Sequence, residues 1–222
     1  MRRIANILER IRVIKNWWAF VFPFNRIGEK KRLAYLRSGA KIWIRDPFSS
    51  DFSGILDIAS RDVYGLANIA EARKIVDVGA NIGVFTVLAA LQFPDAQVYS
   101  FEPESENFEA LKENIKLNHI TNVTPFQKAV ARTRGTARLY LGAADSHTLY
   151  GTGEYVEVGT IPLSDFGDID VLKIDAEGAE RDILPNPARY IAVEVHGEDP
   201  EAFVKTLGRP YHENHAHVFI IT

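Results

Sequence analysis

The segment Ile75-Val76-Asp77-Val78-Gly79-Ala80-Asn81-Ile82-Gly83-Val84-Phe85 constrains the fold more than any other stretch of the chain. A short run of buried-strand character meets Gly79 and Gly83 and passes directly into an apolar helical pattern, Val84 to Phe93. A strand that turns into a helix over glycines begins a parallel β-α-β unit, and open α/β sheets bind ligands beyond the carboxyl ends of such strands. Asn81, between the glycines, is a residue type that tolerates left-handed backbone better than most.

The rest of the chain continues the alternation. Gln97 to Phe101, Val123 to Gln127, Val171 to Ile174, Ile191 to Val195 and His217 to Ile221 read as further strands. Phe108, Leu111, Ile115 and Leu117 suit a helix opened by Pro103-Glu104-Ser105. Thr136 to Leu141 and Tyr155 to Ile161 read as two more strands around Gly142 to Gly153, a Gly-, Ser- and Asp-bearing stretch long enough for a lid. Short helices are expected over Gly178 to Leu184, stopped by Pro185, and over Pro200 to Leu207. The expected division is an N-terminal extension, residues 1–63, with a helix to about Phe20 and a short strand near Lys41 to Arg45, followed by an α/β domain, residues 64–222.

Composition narrows the chemistry. With 46% hydrophobic and 25% charged residues in 222, the chain can bury one large core. The absence of cysteine removes disulfides, thiolate nucleophiles and cysteine-ligated zinc. A formal net charge of −3 argues against a nucleic-acid partner, which needs clustered positive charge.

Arg2 to Arg26 is a basic exception: six basic residues (Arg2, Arg3, Arg10, Arg12, Lys15, Arg26) face one acid, Glu9, with Ile4, Ile7, Leu8, Ile11, Ile14 and Trp18 at helical spacing. That pattern fits a helix packed on its own domain, the favoured reading, or an interfacial helix on an anionic membrane surface through residues 1–25. Trp17 to Phe24 is too short to span a bilayer, and interrupting charges argue against a secretory signal. A cytoplasmic location, with peripheral membrane contact as the alternative, is the resulting expectation.

Spacing selects the ligand. The dinucleotide fingerprint G-x-G-x-x-G, begun at Gly79, meets Asn81 and Val84 instead of glycines, and the NTPase loop G-x-x-x-x-G-K-[ST] is absent. Asp77 precedes the bend, where a carboxylate repels pyrophosphate and attracts a cationic group. The second strand ends in Phe101-Glu102-Pro103, and Glu102 falls 23 residues after Gly79, where an acid accepts both hydroxyls of a ribose. Bend and acid together describe a phosphate-free nucleoside, and S-adenosylmethionine fits.

A reaction centre emerges from strand alternation. Lys173, Asp175 and, if the strand persists, Glu177 share a face, as do Glu194 and His196 on the next strand. Ionisable groups at the carboxyl ends of parallel strands are costly unless paired or functional. His196 is the first candidate base because imidazole titrates near neutral pH, and Asp175 is the second, as base or positioning group. A buried ion-pair network of Lys173, Asp175 and Glu194 is the competing structural reading. No dedicated metal-ligand signature is present and no metal is expected; His212, His215 and His217 read as solvated or packing residues.

Taken in order, these motifs resemble the FkbM-type methyltransferases of the Rossmann-like S-adenosylmethionine-dependent class. The resemblance spans about Tyr64 to His196 and rests on Val76 to Gly83, Phe101-Glu102-Pro103 with Asn107, Phe108, Leu111, Asn114 and Asn118, Ala129-Val130, Ile161 to Asp165, Leu172 to Glu180 and Val193-Glu194-Val195-His196. It implies a doubly wound, mostly parallel sheet of seven strands with an antiparallel last strand. It also implies a donor pocket at Asp77, Gly79, Asn81, Gly83, Phe85 and Asp175, ribose on Glu102 beside Pro103, and adenine near Ala129. Tyr64 looks like an aromatic that closes over the donor, with a core tyrosine as the alternative; Ser146, His147, Lys173 and Glu177 are candidate substrate contacts. The implied reaction is methylation of a hydroxyl on a sugar, glycan or polyketide-type metabolite. Methylation of nitrogen or carboxylate on a macromolecule, or a donor-binding module without catalysis, are the alternatives.

Overall fold

Continuous apolar strands buried on both faces need helices above and below them, and the chain supplies both. The computed structural model describes residues 11–21, 31–45, 50–142 and 148–222. Seven strands form the central sheet: β3 (Lys74–Val78), β4 (Gln97–Phe101), β5 (Val123–Phe126), β9 (Val171–Ile174), β10 (Tyr190–Glu194), β11 (Tyr211–His215) and β12 (Val218–Ile221). Their spatial order is β11-β12-β10-β9-β3-β4-β5, the Rossmann-like methyltransferase arrangement. β12 runs antiparallel to both neighbours, so the last strand is reversed within an otherwise parallel sheet.

Register decides where the chemistry falls. Val78 pairs with Phe101 on one side and Ile174 on the other, and Ile174 pairs with Val193. The residues just beyond, Gly79, Glu102, Asp175 and Glu194, are thereby brought to one edge of the sheet. Helices α3 (Val84–Gln92) and α4 (Ser105–Leu117) cover β3 to β5, and α4 starts at Glu104, whose carboxylate accepts the Glu106 and Asn107 N–H groups. Short helices α5 (Glu180–Ile183) and α6 (Pro200–Lys205) follow β9 and β10.

The N-terminal region departs from the expected single helix. Residues 11–13 are helical, but Ile14 pairs with Leu36 and a turn intervenes before α1 (Trp18–Val21). Ile4, Ile7 and Leu8 lie outside the described residues, as do residues 22–30. Val13, Ile14 and Phe20 are buried against Leu36, Ile42, Ile44 and Ile55, so this part of the basic segment packs on its own domain. Trp18 points outward, about half exposed. No helix among the described residues is long and apolar enough to cross a membrane.

Two elements here were not anticipated: β1 (Arg32–Tyr35), the antiparallel partner of β2 (Lys41–Ile44), and α2 (Ser50–Ala59). The free edge of β2 is closed by side chains. Asn114 of α4 accepts from the Trp43 N–H (2.7 Å) and donates to the Trp43 carbonyl (3.2 Å), while Asn118 does the same for Lys41 (2.8 and 2.6 Å). Two carboxamides one helical turn apart thus stand in for a neighbouring strand.

A small second sheet covers the other flank. β7 (Gly135–Tyr140) pairs antiparallel with β8 (Tyr155–Ile161), and β8 pairs parallel with the two-residue β6 (Ala129–Val130). After the described loop residues resume, Thr148 donates from Oγ1 to the Glu177 carbonyl at 2.5 Å, tying the loop to the turn after β9. Ser146 and His147 lie outside the described residues.

Candidate functional site

The bend after β3 needs its glycines. Gly79 has φ +73°, and a Cβ there would sit 1.8 Å from the Asp175 carbonyl oxygen; at Gly83, φ +88°, it would meet Leu111 at 2.5 Å. Asn81 sits between them at φ 49°, in the left-handed region its residue type tolerates. This geometry turns the Asn81 N–H onto the Glu102 carboxylate, Oε2, at 2.8 Å, and the Glu104 N–H reaches Oε1 at 3.0 Å. Glu102 is buried, and burial pushes its carboxyl up to about 7 although three hydrogen-bond donors, the N–H groups of Glu104 and Asn81 and the Asn107 side chain, pull it down.

Glu102 forms part of the wall of an open cleft that also includes Gly79, Asn81, Pro103, Ala129 and Asp175, six of the residues expected to meet the donor. Val130, Leu139 and Leu149 from the small sheet and its loop also line it, together with Lys128. A buried carboxylate in a cleft that also holds these apolar side chains suits a sugar diol beside a flat base, so the residues present fit a nucleoside.

Four expected donor contacts are placed elsewhere: Asp77, Gly83, Phe85 and Tyr64, the last of which lines a second groove instead of closing over this cleft. Asp77 is fully buried beneath the bend, where its Oδ2 accepts from Thr86 at 2.6 Å and its Oδ1 lies 3.2 Å from the Lys173 ammonium; the cation it attracts is the chain's own. Gly83 packs on Leu111 and starts α3 instead of walling the cleft. Phe85 is buried and meets the Tyr64 ring edge-on at 5.9 Å, supporting the site from below.

A second groove opens on the other side of Gly79, Asn81, Asp175 and Glu177. It holds the titratable cluster. Tyr64 is buried here, its hydroxyl proton shared between Asp175 Oδ2 (3.0 Å) and Glu194 Oε2 (3.2 Å), so burial and these carboxylates raise its pKa well above the usual tyrosine value. Lys173, expected as a substrate contact, is committed to the chain: its ammonium donates to the Gly79 carbonyl at 2.6 Å and lies 3.9 Å from Asp175. Burial works against that ammonium, but Asp77 and Asp175 outweigh it and hold its pKa above the ordinary lysine value. Burial, then the adjacent Asp175 charge, push Glu194 up.

The strand does not persist to Glu177, which adopts φ 45° in the turn after β9, yet the turn brings it to His196. His196 Nδ1 is 2.9 Å from Glu180 Oε1, and Nε2 is 3.5 Å from Glu177 and 3.8 Å from Glu194. Neutral-range titration does not hold for this imidazole. The Glu180 hydrogen bond, with the Glu177 charge, outweighs burial and pushes it to about 9. Glu180, fully buried at the start of α5, is a neighbour of His196 that strand alternation could not reveal, because it is presented from a helix. Asp175, Glu194 and His196 bring ligand atoms within 4.8 Å of one another; their charge is met by Lys173, Tyr64 and the imidazole proton, and no cation is assigned to them.

The family model described as the Methyltransferase FkbM domain matches residues 77–217, covering the bend, the Glu102 cleft and the His196 cluster together. The chain belongs to the FkbM methyltransferase family. This FkbM-family chain is 28% identical over 151 residues to Methyltransferase 1 of Beauveria bassiana, covering 54% of the chain and 61% of that relative. It is also 28% identical over 172 residues to the 31-O-demethyl-FK506 methyltransferase FkbM of Streptomyces tacrolimicus, covering 56% and 66%. A third relative, the hexuronic acid methyltransferase AglP of Haloferax volcanii, is 28% identical over 151 residues, covering 59% of each chain. The matched regions therefore span about three fifths to two thirds of the length of these relatives.

Proposed function

We propose that this chain transfers a methyl group from S-adenosylmethionine to a hydroxyl oxygen of a small or conjugated metabolite of the sugar, glycan or polyketide kind. The observation that carries the reading is the placement of Glu102. A buried carboxylate just beyond β4 lines a cleft with both polar and apolar side chains, and that cleft shares the Gly79 bend with a titratable groove. One relative named for an oxygen position supports an oxygen acceptor, and one named for a hexuronic acid supports a sugar-type acceptor.

When bound, the donor supplies an electrophilic methyl on a sulfonium. The chain orients and moves protons. Glu102 receives the ribose hydroxyls, Pro103 and Ala129 flank the base, and Gly79 lets the backbone come close. Asp175, Glu177 and Glu194 line the adjoining groove, where Lys173, Tyr64 and the His196 imidazolium meet their charge. His196 holds its proton to about 9 without ligand, and a second cation in the groove favours its loss. The neutral imidazole then takes the acceptor's hydroxyl proton at Nε2 while Glu180 holds Nδ1; Asp175 is the alternative base or orients the acceptor.

Calorimetry with S-adenosylhomocysteine tests the pocket: the wild-type chain binds and Glu102→Ala binds far more weakly. Equal affinities would remove the ribose assignment. Incubation with isotopically labelled donor and a panel of hydroxylated acceptors, followed by mass spectrometry, tests the reaction; label found only on nitrogen or carboxylate would replace the hydroxyl acceptor.

A further inference from the structure

Counting acceptors at Glu102 shows a shortfall. A carboxylate offers roughly four lone-pair sites. Three donors of the chain already address it: the Asn81 N–H, the Glu104 N–H and the Asn107 side chain. About one site is left for the two hydroxyls of a ribose.

Asn107 supplies what is missing. It lies in the first turn of α4, where its N–H is fixed by Glu104 Oε2 at 2.7 Å, and its side chain forms part of the cleft wall. It is 4% exposed, and its Oδ1 is buried without a hydrogen-bond partner among the described residues. Facing a carboxylate, the carboxamide must present its NH₂, which leaves the carbonyl oxygen one amide width away, beside the same hydroxyl pair. An orphaned buried acceptor is costly unless a ligand donor reaches it.

We propose that Asn107 is a donor-recognition residue: its amide nitrogen orients Glu102, and its unpaired carbonyl oxygen accepts the second hydroxyl of the nucleoside ribose. This rests on the donor reading above. Glu102 and Asn107 then divide the diol, one hydroxyl each. The pocket distinguishes an intact ribose from either deoxy form.

The test compares S-adenosylhomocysteine with its 2′-deoxy and 3′-deoxy analogues by calorimetry between pH 6 and 9, on wild type, Asn107→Leu and Asn107→Asp. Wild type is expected to lose about tenfold in affinity for each missing hydroxyl. Asn107→Leu should bind the parent about tenfold more weakly and become indifferent to one of the two deletions. Its binding should also need higher pH than wild type, because Glu102 loses a donor that favours its ionised form while Asn81, Glu104 and the more distant Lys173 remain. Asn107→Asp keeps the side-chain shape and sets a second carboxylate beside Glu102, so its midpoint should move further upward. A merely structural role would weaken all three ligands equally at every pH, and that result overturns the proposal. So does an Asn107→Leu variant that binds like wild type or still penalises both deletions. If wild type itself does not bind S-adenosylhomocysteine, the donor reading fails first.

Discussion

Glu102→Gln separates the cost of burying the ribose carboxylate from its use. Burial raises the folded-state pKa from 4.5 to about 7. Between these values the folded chain holds a proton that the unfolded chain has released, so stability falls as pH rises through this window, and the loss is complete above it. A shift of this size corresponds to about 3 kcal/mol. Glutamine resembles the protonated acid and has no proton to lose. The stability difference, Gln variant minus wild type, should therefore be constant below pH 4.5, at an offset set by the backbone N–H from which the amide nitrogen cannot accept, grow by about 3 kcal/mol up to pH 7, and then level. For a chain of this length that is roughly 6–12 °C in Tm. The same substitution should weaken S-adenosylhomocysteine binding at pH 8 by about thirtyfold, the worth of a hydrogen bond to a charged group. Thermal unfolding of both proteins from pH 4 to 9, paired with calorimetry at pH 8, reads both effects. A pH-independent stability difference would refute the burial argument, and unchanged affinity would refute the ribose role.

Other perturbations follow from the same geometry. If His196 is the base, kcat/KM for the donor should climb with pH toward about 9, and Glu180→Gln should shift the rise to lower pH by removing the strongest stabiliser of the imidazolium, while Glu177, Glu194 and Asp175 still face it; an unmoved profile would take His196 out of the proton transfer. Lys173→Met strands Asp77 as an uncompensated buried charge and should cost about 3–5 kcal/mol in urea unfolding, with much of the loss recovered in Lys173→Met/Asp77→Asn. Lack of recovery would mean that the pair is not the cause. Gly79→Ala places a methyl against the Asp175 carbonyl and a non-glycine residue at φ +73°, and should destabilise the chain by about 3 kcal/mol; a near-neutral result by the same assay would contradict the close approach.

The sheet, the bend and the buried acid at Glu102 were legible because each depends on local pattern. Strand alternation and glycine placement are set within about ten residues, and the distance from Gly79 to Glu102 is one β-α-β step. The β2 strand was legible near Lys41 to Arg45, but its pairing with β1 and its docking on Asn114 and Asn118 were not, because those carboxamides lie more than seventy residues away. Polar residues on a helix read as a solvated face until something docks there. Asp77 was read as a cation-binding carboxylate, which is chemically correct, but its cation is Lys173, and no spacing rule pairs two residues across a parallel ladder.

Residue order alone determined where the backbone must bend and which strand ends carry carboxylates and imidazole, since those follow from steric limits and two-residue alternation. Only the tertiary structure decided which of these groups are charged and which remain open to a ligand. The register that aligns Val78, Phe101, Ile174 and Val193 gathers Glu102, Asp175 and Glu194 at one edge, and α5 adds Glu180 behind His196. Protonation depends on burial and on charges a few ångströms away through space, and those neighbours exist only once the chain has folded.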